Sequence, residues 1–191
     1  MTAPEYIQLR AYARIDGLKL FAMWLVSFLC YMQGLHSPGL GLVAVILAVA
    51  TPFLSYRMLR KFRDDALDGV ISFRRGWLYV LFHFFYASLL FAVAQFIYFT
   101  YIDKGAFISE MTDLFSEPAT LEALRQMGMS SDISNTLEAM RQMRPIDMVL
   151  NVLLSNLLAG CLLGLPVAGF AMRAAKDAVN NDNGMVLWIY Q

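Results

Sequence analysis

Charged residues are missing from three long stretches of the chain. Residues 20–56, 76–102 and 148–172 contain no Asp, Glu, Lys or Arg, which makes runs of 37, 27 and 25 residues. A helix crossing a bilayer needs about 20 mostly apolar residues, because the hydrocarbon layer is about 30 Å thick and each residue rises about 1.5 Å. The second and third runs each suit one crossing. The first is long enough for two, and its middle reads Gln33-Gly34-Leu35-His36-Ser37-Pro38-Gly39, a cluster of chain breakers suited to a tight turn. The pattern predicts an all-α membrane protein with spans at about 18–33, 39–56, 76–102 and 147–172. The first span is short, and a start near Ala11 is the alternative. Residues 103–146 form a partly helical loop outside, and 177–191 a short cytoplasmic tail behind a single domain, 1–176.

The cations orient these spans. One side holds Arg10, Arg14, Lys19, Arg57, Arg60, Lys61, Arg63, Arg74, Arg75, Arg173 and Lys176, eleven in all; the other holds four, Lys104, Arg125, Arg141 and Arg144. Lys and Arg accumulate on the cytoplasmic side. Both termini and the 57–75 segment are therefore expected in the cytoplasm. No cleavable signal peptide is expected, since Glu5 precedes any basic residue and the apolar run starts late.

Composition narrows the function classes. The chain has 191 residues, 59% apolar and 16% charged, against about 45–50% and about 25% in an average soluble domain. Fifteen cations balance fifteen anions, which speaks against binding nucleic acid through bulk charge. Two cysteines, Cys30 and Cys161, both fall inside spans and read as small packing residues. No cofactor and no metal site is expected.

Helices in lipid associate through close backbone approach and interhelical hydrogen bonds. The fourth span carries Asn156, Gly160, Gly164 and Ala168 at four-residue intervals, with a second row of Asp147, Asn151, Ser155 and Ala159 beside it. The third carries Ser88, Ala92 and Gln95; the second, Gly41, Ala44 and Ala48. These rows read as helix-packing or partner-binding faces of a compact bundle. Pro52 and Pro166 are expected to kink their helices. The polar residues at bilayer depth are His83, Gln95, Asn151, Ser155 and Asn156, and no charged residue falls at mid-depth in the expected spans. His83 reads either as a structural ring bonded to a neighbouring helix or as a functional group. The asparagines read as interhelical glue, and Asp147 as a partner for free N–H groups at the start of the fourth span.

The outer loop carries seven acidic and four basic residues, and helices are predicted at 118–127 and 132–143. Six of the twelve methionines (Met111, Met127, Met129, Met140, Met143, Met148) lie in or beside it. A soft metal site is one reading of them; the other is a pair of amphipathic helices at a surface, with adaptable Met contacts. In the cytoplasmic segment Arg57, Arg60, Lys61, Arg63, Arg74 and Arg75 read as lipid-headgroup contacts, or simply as the charges that set orientation. Trp77 and Tyr79 at one end of the third span, and Tyr98 and Tyr101 at the other, sit where aromatic belts occur.

The stretch from Asp68-Gly69-Val70-Ile71-Ser72-Phe73-Arg74-Arg75-Gly76-Trp77 on to Gln95-Phe96-Ile97-Tyr98-Phe99-Thr100-Tyr101-Ile102-Asp103 resembles the signature of an inner-membrane family, Domain of Unknown Function 4199, typical of Bacteroidetes. The likeness extends to Gly128-Met129-Ser130 and the Gly-rich last span, covering about residues 15–172. It implies four spans and a bacterial inner membrane, and no catalytic residues. It also implies an anchoring or accessory role, with a polyprenyl-phosphate glycosyltransferase as one partner class. Together these readings favour a non-catalytic accessory or scaffold subunit that contacts membrane lipids and a protein partner, or forms a homo-oligomer. The alternative is a small transporter or channel subunit working as a homo-oligomer, with His83, Gln95, Asn151 and Asn156 along the path. A lipid-modifying enzyme is the weakest reading, because no nucleophile–base pair is visible.

Overall fold

A computed structural model describes residues 2–126, 128, 135, 138–139 and 142–173. It contains α1 (Ala3–Gly34), α2 (Pro38–Ala66), α3 (Phe73–Ile97, continued by a π-helical turn, Tyr98–Asp103), α4 (Ala106–Ser116), α5 (Pro118–Gln126) and α6 (Pro145–Ala171). Four of these helices are long and apolar enough to cross a membrane: α1, α2, α3 with its π turn, and α6. The protein is thus an all-α, multi-pass membrane protein. Among the described residues there is no strand, only an isolated antiparallel bridge between Ile71 and Arg173.

The helices outrun their apolar cores. α1 begins at Ala3 instead of 18, where the Glu5 carboxylate accepts the Thr2 N–H at 2.6 Å. Its first half is amphipathic: Leu9, Ala13, Asp16 and Leu20 lie along one buried stripe. α2 continues ten residues beyond 56 because Met58, Leu59, Phe62 and Arg63 also find buried positions. α2 and α6 run on through Pro52 and Pro166. Pro145 opens α6 at the first helical position, where its missing N–H is no loss. In the outer loop α5 coincides with the expected 118–127 helix. α4 lies ahead of it, where no helix was expected, and most of the 132–143 helix lies outside the described residues.

The described chain divides into two compact units. The first comprises the residues up to Leu20, Ala50–Tyr86 and those from Leu157 onward. It gathers the start of α1, the end of α2, the start of α3 and the end of α6. The Ile71–Arg173 bridge belongs here, with reciprocal N–H···O bonds of 3.0 Å tying the exit of α6 to the α2–α3 link. That link turns through Asp68 (φ 51°) and Gly69 (φ 80°).

The second unit comprises Phe21–Val49 and Ala87–Asn156. Its α1–α2 hairpin closes at the expected breaker cluster, where the Gln33 carbonyl accepts the N–H groups of His36 and Ser37. The helices then meet closely: a Cβ on Gly34 would lie 2.6 Å from the Gly41 Cα. Ser27 donates to the Ala44 carbonyl across the pair at 2.9 Å. Phe28 packs edge-on against Phe91, Tyr98 and Phe99. His36 sits 3.1 Å from the Glu110 carboxylate of α4.

Candidate functional site

The first unit holds a buried polar cluster drawn from three helices. Asp16 comes from the amphipathic stripe of α1, where a four-residue rhythm of apolar positions carries one acid inward. Its carboxylate accepts a hydrogen bond from Tyr79 of α3 and another from Lys19, one turn along α1, at 2.7 Å. Lys19 itself is half-exposed, so the pair reaches the surface through the lysine stem. The Tyr79 ring is stacked on Phe62 of α2, with centroids 4.9 Å apart and planes 8° from parallel. One turn further along α3 lies His83, fully buried, its ring 5.8 Å from that of Tyr79. His83 Nε2 is 3.4 Å from the Ser55 hydroxyl of α2, and Ser55 donates to the Thr51 carbonyl at 2.8 Å.

Asp16, His83 and Ser55 are the residue types of a hydrolytic triad, but their bonds are wired differently. A serine hydroxyl has one proton, and here the Thr51 carbonyl takes it, so at that bond the imidazole is the donor and not a base. Asp16 orients Tyr79 instead of the imidazole. The arrangement can hold a carboxylate, a phenol and an imidazole inside a membrane-spanning chain, and it activates no nucleophile. His83 Nδ1 has no hydrogen-bond partner.

The row on α6 is used within the chain. Gly160 lies against Phe84 of α3, where an added Cβ would come within 2.7 Å of the ring. Gly164 lies against Trp77 and Val80, and Ala168 against Gly76. The Trp77 indole donates to the Cys161 carbonyl at 3.1 Å, and Tyr79 is wholly buried. The Trp77 ring packs against Gly164, and the Tyr79 ring is enclosed within the first unit. Asn156 is half-buried. Ser88, Ala92 and Gln95 are buried in the second unit, where Ser88 Oγ and Gln95 Oε1 lack partners. Asn151 and Ser155 face outward, and the Asn151 amide bonds back to the Asp147 carbonyl at 3.1 Å, so it does not glue helices within the chain. Asp147 pairs with Arg144, accepting its backbone N–H at 3.2 Å and its guanidinium at 2.9 Å.

The six cations expected at lipid headgroups separate into two groups. Arg57, Arg60, Lys61 and Arg74 are exposed. Arg63 is buried, its guanidinium 2.9 Å from the Ala171 carbonyl at the C-terminus of α6, where a cation complements the helix dipole. Arg75 is mostly covered, lying over the Phe62 ring and bonded to Glu5 and Gln8 at 3.3 and 3.2 Å. Both are tied to protein groups and are withdrawn from the headgroup set. Among the described residues no group of three or more His, Cys, Asp or Glu is placed to hold a metal ion.

A family model described as "Protein of unknown function (DUF4199)" matches residues 16–173. The chain belongs to this family. No curated protein and no solved structure matches it. The segment that matches the DUF4199 model starts at Asp16 and ends at Arg173, so it contains both the buried cluster and the Ile71–Arg173 bridge.

Sequence reasoning missed Asp16, Lys19, Ser55 and Tyr79. Asp16 lies just ahead of the first charge-free run, and a search for charges inside such runs passes over it. It was legible in the spacing Leu9, Ala13, Asp16, Leu20, an acid standing in an inward apolar row. Asp16 lies outside the expected first span of 18–33 but within α1, which begins well before it.

Proposed function

We propose that this DUF4199 protein is a non-catalytic accessory or anchoring subunit of a complex in the bacterial inner membrane, with both termini and the 57–75 segment in the cytoplasm. One observation carries the reading: three reactive side chains of the first unit, Asp16, Ser55 and Arg63, are occupied by other side chains or by backbone. Asp16 is held by Tyr79 and Lys19, Ser55 by Thr51, and Arg63 by Ala171. What the chain offers outward is adhesive. Leu158 and Leu162 form an exposed ridge on α6, 60–62% accessible, and Arg57, Arg60 and Lys61 line the exposed end of α2. The ridge suits another transmembrane helix. The cationic end suits phosphate groups, including those of polyprenyl-phosphate substrates of a glycosyltransferase partner. Affinity purification of the native protein in mild detergent, followed by identification of what accompanies it, tests the proposal. A partner lost on Leu158→Ala with Leu162→Ala supports it; a chain that is monomeric and alone under all conditions overturns it.

The second reading is a small transporter or channel subunit, and the buried Asp16–Tyr79 pair favours it, because intramembrane carboxylates mark ion and proton routes. Reconstituted liposomes distinguish the two. A pH-driven flux abolished by Asp16→Asn supports transport, and liposomes no leakier than empty ones remove it.

A further inference from the structure

The first unit shows two kinds of surface at one level of its helices. Gly76 of α3 marks that level: a Cβ added there would lie 3.5 Å from Leu59 Cδ2 of α2 and 3.4 Å from the Ala168 Cβ of α6. Around Leu59, every exposed position of α2 beyond Phe53 is charged: Arg57, Arg60, Lys61, Asp64 and Asp65. Around Ala168, the exposed positions of α6 stay apolar as far as Met172, among them Leu165, 46% accessible, and Phe170, 79% accessible. Arg57 comes two residues before Leu59, whereas Arg173, the first charge after the apolar run of α6, comes five residues after Ala168. At a rise of about 1.5 Å per residue, the boundary between apolar and charged surface therefore differs by about 10 Å between two helices that touch the same glycine.

The uncharged lengths differ in the same sense. α2 offers residues 38–56 and α6 residues 148–171, 19 against 24. That is about 28 Å against about 36 Å. Tilting the bundle moves both ends of a helix together and leaves a difference in length in place. One flat membrane surface would then either sink Arg57, Arg60 and Lys61 into hydrocarbon or leave Phe170 and Met172 in water. Both are costly, whereas a bilayer thins at a modest cost per ångström.

We propose that this unit holds one leaflet at two depths: full along α6, and about 10 Å nearer the bilayer midplane along α2, where phospholipid phosphates are drawn in to Arg57, Arg60 and Lys61. Lipid tails cover Leu165, Phe170 and Met172 on the other flank. Asp64, 3.8 Å from Arg60, and Asp65 lie one turn further out, on the water side of the phosphates. The inference rests on the membrane-spanning architecture and not on the accessory-subunit reading.

Site-directed spin labelling tests it on the full chain, purified and returned to vesicles of phosphatidylethanolamine and phosphatidylglycerol, with Cys30→Ala and Cys161→Ala removing the native thiols. Lys61 and Phe170 are matched sites, each two residues beyond the pair that meets at Gly76. A label at Phe170→Cys collides with oxygen severalfold more often than a label at Lys61→Cys. The Lys61→Cys label collides severalfold more often with a water-soluble nickel chelate. Phe53→Cys, exposed higher on α2, reads hydrocarbon like Phe170→Cys. Arg57→Leu with Arg60→Leu lets the leaflet relax, and the Lys61→Cys label shifts toward oxygen. Like environments at the two matched sites overturn the step, and if both read water, the apolar end of α6 is a protein-docking face instead. A Lys61→Cys label unmoved by loss of the two arginines overturns the role of the cations.

Discussion

Asp16 and Arg63 carry their charge where burial makes it expensive, and each is matched by a specific partner. Removing one member of a buried pair leaves the other uncompensated. Asp16→Ala strands the Tyr79 hydroxyl and is expected to lower stability by about 3 kcal/mol, with Tyr79→Phe costing about 2 kcal/mol. Because the two share one bond, the double variant should fall short of the sum by at least about 1 kcal/mol, which a double-mutant cycle of thermal melts in detergent would measure. Additive losses would show that the pair is not coupled. Arg63 and Arg60 provide a contrast in one helix. Arg63→Ala takes the guanidinium donor from the buried Ala171 carbonyl and removes the bond to Asp64, for an expected loss of about 2 kcal/mol. Arg60→Ala touches an exposed pair 3.8 Å from Asp64 and should stay within about 0.5 kcal/mol. Equal melts for the two variants would contradict the burial assigned to Arg63.

At the scale of the helices, small residues decide how closely backbones approach. Gly160→Ala drives a methyl into the Phe84 ring root, and about 1–3 kcal/mol of overpacking is expected. Gly169→Ala, on the same helix with open space around its Cβ position, is the matched control and should be neutral or slightly stabilising in a thermal melt. Gly34→Ala meets backbone of the facing helix, which has no rotamer to yield, so it should disturb the hairpin more than Gly160→Ala does. The positions of the four spans and the hairpin turn were legible because charge-free runs and breaker clusters report directly on lipid burial. The charged extensions of α1 and α2 were not. There the helix is held by tertiary contacts such as Leu9, Ala13, Leu59 and Phe62, interleaved with charges that dilute hydropathy. The same dilution hid Asp16, while Tyr79 lay in a charge-free run and read as a belt aromatic. His83 was visible because a histidine in an apolar run stands out; its partner Ser55 was not, because which helices meet cannot be read from one chain's spacing. Arg63 and Arg75 looked like their exposed neighbours, since sequence carries the charge of an arginine and not the direction of its side chain.

For the whole molecule, the first unit gathers the start of α1, the α2–α3 link and the exit of α6, as an even number of crossings requires. Reporter fusions at the N-terminus, within residues 66–70 and after Arg173 should therefore report one face of the membrane, and a fusion at Ser37 the other. A split between the first three would break the four-span topology. The bridge between Ile71 and Arg173 also imposes an order of assembly. Its two halves are separated by about one hundred residues of chain, so at ribosomal speeds of roughly 5–20 residues per second the amide of Ile71 waits roughly 5–20 seconds for its mate. During that interval the link between the second and third spans is an unlatched edge, open to proteases and chaperones. Only a nascent chain translated through its last crossing can fasten it, and the bridge thereby works as a receipt of completed insertion.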